Sequence, residues 1–89
     1  MQYCEVKNKG IMISLPENVE RLERVILASA MDYGAFGEAK GTSVDEENGN
    51  HRHIVVTFPE DADEKAVYTF AEKVDNAIRA LIELNAKFD

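Results

Sequence analysis

The stretch TSVDEENGNHRHIVVTF, Thr42–Phe58, decides the fold. Its second half alternates. Ile54, Val56 and Phe58 take one side of an extended chain, and His51, His53, Val55 and Thr57 take the other. Asn48-Gly49 lies in the middle, and this dipeptide marks a tight hairpin because both residues tolerate positive φ. A two-residue turn there predicts strands over Thr42–Glu47 and His51–Phe58. It sets Glu46 against His51, Asp45 against Arg52 and Val44 against His53, so that opposite charges face each other.

C-terminal to this hairpin, the period changes from two to between three and four. Val67, Phe70, Val74, Ile78, Leu81 and Asn85 repeat at helical spacing, and Ala66, Ala71, Ala77, Ile82, Leu84 and Phe88 widen the stripe. The helix is expected from Ala62 to Ala86. Asp61 and Glu64 have capping-box spacing, and the acids at 60, 61, 63 and 64 suit a helix N-terminus. Asp75–Arg79 and Glu83–Lys87 read as i,i+4 pairs.

N-terminal to the hairpin the same order recurs. Residues 2–7 and 11–15 read as strands around the turn residues Asn8-Lys9-Gly10, with Gly10 able to take a positive φ. A two-residue turn on Asn8-Lys9 pairs Val6 with Ile11 and Cys4 with Ile13. A three-residue turn ending at Gly10 pairs Glu5 with Ile13 instead. The first register gathers Cys4, Val6, Ile11 and Ile13 on one apolar face and is preferred for that reason. Pro16 then opens a helix to Tyr33, with Val19, Leu22, Ile26, Ala30 and Tyr33 as its buried stripe and Val25 and Met31 beside it. Glu17–Arg21 and Glu20–Arg24 are expected pairs on its wet side. Gly34 reads as its stop, and Gly34–Gly41 as a glycine-rich connecting loop. The order ββαββα predicts an α+β two-layer sandwich, an antiparallel sheet with two helices on one face, formed as one domain over 1–89.

Charge and composition exclude several function classes. The chain has 89 residues and a net charge of −7. Residues 1–40 carry six acids and five bases, whereas residues 41–89 carry eleven acids and five bases. So acidic a chain is a poor partner for phosphate backbones or anionic lipid, and direct nucleic-acid binding is not expected. No apolar run approaches the ~20 residues of a membrane span. Met1-Gln2-Tyr3-Cys4 lacks the charged and apolar regions of a signal peptide, and a cytoplasmic location is expected. One cysteine makes no internal disulfide.

Chemistry-bearing constellations are few. His51 and His53 share a strand face, and with Glu46 opposite they would form a two-histidine, one-carboxylate metal set. Against this, His51 beside Glu46 is also an ordinary cross-strand charge pair, and no cofactor is expected. Cys4 reads as a small buried hydrophobe. Tyr33, Phe36, Lys40 and Arg52 are candidate ligand- or partner-binding residues around the Gly34–Gly41 segment, the two cations being able to orient an anion.

The last helix supplies the main functional clue. Twenty-five helical residues span roughly 37 Å, whereas a typical strand covers only ~17–20 Å. The helix overhangs its sheet with an apolar end, and Leu81, Ile82, Leu84 and Phe88 are expected to form an oligomer interface, most simply in a homodimer. The expected function is therefore a small acidic non-catalytic protein-interaction module. It would act as a homo-oligomer, as an inhibitor or regulator of a larger protein, with a basic protein as partner. The competing expectation is a small-ligand binder whose pocket forms between protomers.

Overall fold

A computed structural model of the chain describes residues 1–46 and 49–88, without the side chain of Asp45. Four antiparallel strands form one open sheet with two helices on one face: β1 (Cys4–Lys7), β2 (Gly10–Pro16), α1 (Leu22–Asp32), β3 (Phe36–Asp45), β4 (Gly49–Thr57) and α2 (Glu64–Phe88). The strand order is β1-β2-β4-β3. The chain is thus an α+β fold with the element order ββα used twice. The second strands of the two units, β2 and β4, lie side by side at the centre of the sheet.

The first hairpin takes the register that buries its apolar set. Cys4 faces Ile13 and Val6 faces Ile11, so the turn residues are Asn8 and Lys9. It is Asn8, not Gly10, that adopts the positive φ, at 57°. Asparagine tolerates that region and fits the first central position of a tight hairpin turn.

Pro16 does not open α1. It ends β2 opposite His51, with φ −59° and ψ 151°. A single 3-10 turn over Glu17–Val19 follows, and α1 begins only at Leu22. Leu15, which precedes the proline, stays in the sheet opposite Arg52, as the disfavoured helical angles before proline require. The expected Glu17–Arg21 and Glu20–Arg24 pairs are not among the ion pairs of the described residues. Arg21 instead donates to Asn85 Oδ1 at 3.2 Å, and Glu23 binds Arg52. The stop at Gly34 is as expected. With φ 73°, Gly34 donates to Met31 O while Ala35 donates to Ala30 O, the paired bonds of a Schellman motif.

The second hairpin differs most from expectation. Gly34–Gly41 is not a loop; β3 starts at Phe36 and runs ten residues. Glu47, the expected end of the first strand, and Asn48, the first residue of the expected turn, lie outside the described residues. Around it Asp45 faces Gly49, Ser43 faces His51 and Thr42 faces Arg52, so Glu46 is not opposite His51. A bulge between Ala39 and Gly41 shifts the register once more. Beyond it the helix-facing partners of Ile54 and Val56 are Ala39 and Gly37, residues small enough to lie beneath α1. A Cβ on Gly37 would come within 2.6 Å of the Leu27 side chain, so glycine lets α1 sit close to the sheet.

The core lies between the sheet and the two helices. Ile11, Ile13, Leu15, Ile54 and Val56 from the strands meet Val19, Ile26, Ala30, Val67, Phe70, Val74 and Ile78. Tyr33, Phe58 and Phe70 close one end edge-to-face, with Tyr33 and Phe70 centroids 5.1 Å apart. Val25 and Met31, expected beside the buried stripe of α1, are instead exposed. The cap of α2 is Asp63 rather than Asp61: its Oδ1 accepts from the Lys65 N–H at 3.0 Å. No helix among the described residues is long and apolar enough to cross a membrane.

Candidate functional site

The apolar surface of α2 divides along its length. Val67, Phe70, Ala71, Val74, Asp75 and Ile78 are buried. Leu81 and Ile82 are half-buried against the core, while Leu84 and Phe88 are 50% and 82% exposed. The expected interface set is thus split: Leu81 and Ile82 belong partly to their own domain, and Leu84 and Phe88 do not. α2 continues in register to Phe88. Asn85 Nδ2 donates to Asn18 O at 3.1 Å and its Oδ1 accepts from Arg21, which pins the last turns to the 3-10 segment.

At roughly 3.6 residues per turn, Phe70, Ala77, Leu81, Leu84 and Phe88 share one stripe of α2, displaced from the core-facing stripe. Its proximal part forms one wall of a groove against α1. The groove holds a cavity of about 300 Å³, with Leu22, Val25 and Ser29 on one side and Phe70, Val74 and Ala77 on the other. At its rim Lys73 Nζ donates to Tyr33 Oη at 3.3 Å. Asp32 shares that rim. Phe70 and Ala77 belong to both the groove and the α2 stripe, whereas Leu81, Leu84 and Phe88 do not line the groove.

The other expected binding residues do not converge with Tyr33. Phe36 is 67% exposed on the uncovered face of the sheet, opposite Thr57. Lys40 pairs with Glu38 at 3.3 Å, and Arg52 reaches across the helix-facing side to Glu23 at 2.7 Å. Both cations already serve acids of their own chain, so the anion-orienting pair expected of them is not assembled.

The two histidines share a face, but the third ligand is absent from it. His53 Nε2 lies 2.7 Å from Ser43 Oγ, and its Nδ1 lies 3.5 Å from Ser14 Oγ. His51 faces Ser43 across the ladder, and both of its ring nitrogens are buried without a hydrogen-bond partner among the described residues. No cluster of three metal-ligating side chains occurs among the described residues. The expected His51–His53–Glu46 set fails on register, because three residues of offset carry Glu46 beyond His51.

Asp75 is the functional-looking residue that sequence reasoning missed. It is 1% exposed and accepts the Tyr3 backbone N–H on Oδ1 at 2.6 Å; Arg79 stands 3.7 Å from Oδ2. The expected i,i+4 pair exists, but its acid faces inward and ties the N-terminal strand to α2. Burial pushes the nearby Cys4 thiol up to about 12, and the Asp75 charge adds to the effect. A thiol so disposed is protonated at neutral pH and is no nucleophile. Cys4 and Asp75 are therefore structural. Comparison with protein-family models, curated proteins and solved structures finds no match to the chain.

Proposed function

We propose that this chain is a non-catalytic protein-interaction module that acts as a homodimer, closed by the outer stripe of α2. The observation that carries this reading is the apolar end of α2, where Leu84 and Phe88 stand exposed. Association would take the exposed Leu84 and Phe88 side chains out of water.

Two features favour a second copy as the occupant. The stripe is self-complementary when read antiparallel: Phe88 of one copy comes over the small Ala77 and Ala80 of the other, while Leu81 and Leu84 meet near the two-fold axis. Charge agrees. The chain carries −7, yet residues 76–88 hold two bases, Arg79 and Lys87, against the single acid Glu83. Self-association through this segment avoids the repulsion that the acidic remainder would impose.

Sedimentation equilibrium tests the reading. The wild-type chain is expected at twice its 10.0 kDa mass at micromolar concentration, and Leu84→Glu at the single-chain mass with an unchanged circular dichroism spectrum. A single-chain mass for wild type, or a dimer indifferent to Leu84→Glu and Phe88→Glu, refutes it.

A further inference from the structure

We infer that the cavity between α1 and α2 is a binding site for a small amphiphile with an apolar body and a single carboxylate head. The cavity shares Phe70 and Ala77 with the stripe proposed for assembly, but Leu81, Leu84 and Phe88 lie outside its lining, and the inference rests on that lining rather than on the dimer.

Size and lining define the body of the ligand. At about 300 Å³ the cavity lies at the lower end of ligand-pocket volumes. Leu22, Val25 and Ile26 of α1 and Phe70, Val74 and Ala77 of α2 make its walls apolar. Such a space takes a medium alkyl chain or one aromatic ring.

The rim defines the head. Lys73 Nζ donates to Tyr33 Oη, so the phenol proton and the remaining ammonium protons point elsewhere and can converge on one acceptor group. Lys73 has no carboxylate partner among the ion pairs of the described residues. Tyr33 is held in place by edge contacts with Phe58 and Phe70, so the hydroxyl is fixed before a ligand arrives. Asp32 on the same rim limits the charge. Asp32 repels any anion at this rim, a phosphate dianion about twice as strongly as a monocarboxylate, so the single charge is the one that Lys73 can hold there. Charge-assisted bonds from an ammonium and a phenol to one carboxylate make a stronger anchor than neutral pairs.

The test is titration of decanoate into isotope-labelled protein, with decylamine and decanol as matched probes, followed by amide and methyl chemical shifts. Decanoate is expected to bind saturably, with the largest shifts at Val25, Ser29 and Ala77. Lys73→Gln, a substitution at an exposed position, is expected to weaken decanoate about tenfold or more, and Tyr33→Phe to weaken it less. Decylamine and decanol are expected to bind more weakly than decanoate. Absence of saturable shifts at these residues overturns the inference. So does decylamine or decanol binding as tightly as decanoate, or decanoate affinity indifferent to Lys73→Gln.

Discussion

The two halves of α2 carry the same helical period and comparable apolar content, yet they meet different surroundings. The proximal half, Val67 to Ile78, sinks its side chains into the sheet. The distal half, from Leu81 onward, keeps the period after the sheet has ended, so Leu84 and Phe88 stand in solvent. Hydrophobic periodicity therefore reports a face and not its partner. Where the chain's own sheet runs out, the same pattern is left for another molecule.

The largest expected effect separates the halves by truncation. Phe70→Ala should destabilise the fold by about 3–5 kcal/mol through lost transfer energy and a cavity. Leu84→Ala should change the stability of the single-chain species by no more than about 0.5 kcal/mol. Urea unfolding of both at dilute concentration makes the comparison, and equal losses would mean that the distal half is part of the chain's own core.

Next comes Asp75, the one buried charged residue among the described residues. Asp75→Ala leaves the Tyr3 N–H without its acceptor and should cost about 2–3 kcal/mol. Amide exchange at Tyr3 should quicken more than exchange along β4. Uniform quickening would show that Asp75 holds the whole fold rather than the strand it touches.

Cys4 probes the same end by pH. Below the thiol's ordinary value of 9.0, folded and unfolded chains are both protonated. Above it the unfolded thiol ionises while the folded thiol stays protonated up to about 12, so stability should fall with rising pH across that window. Comparing the alkaline unfolding of wild type and Cys4→Ala isolates the contribution, and identical slopes would remove it. The smallest effect concerns His51. With both ring nitrogens buried and without a partner among the described residues, His51→Phe is expected to be neutral or stabilising by up to about 1 kcal/mol. A clear loss of stability would show that the imidazole has a polar partner in solution.

How much could be read beforehand follows the same logic. The first hairpin was legible because only one register buries Cys4, Val6, Ile11 and Ile13 together. The second was not, because β3 offers Gly37, Ala39 and Thr42 where an apolar alternation would have fixed the pairing, and the bulge changes parity midway. The Asn48-Gly49 signal consequently set a register three residues away from that of the structure, and the metal set went with it. Pro16 fits the end of a strand as well as the first turn of a helix, so only pairing with β4 decides. The overhang of α2 could be computed from length alone. The buried role of Asp75 could not, because its partner Tyr3 lies 72 residues away and its i,i+4 partner Arg79 suggests a solvated pair. The cavity was visible only through Tyr33, because Val25 reads as a flank of the buried stripe until the spacing of the helices is known.

The central claim is that the distal stripe of α2 meets a second copy, and cysteine trapping tests it most directly. In a Cys4→Ala background, Leu84→Cys and Tyr68→Cys place single thiols at positions of equal exposure, 50% and 49%, on opposite sides of the same helix. Mild oxidation is predicted to convert the Leu84→Cys chain to a covalent dimer rapidly and to leave the Tyr68→Cys chain single. Equal rates for the two, or no covalent dimer through position 84, would contradict the account.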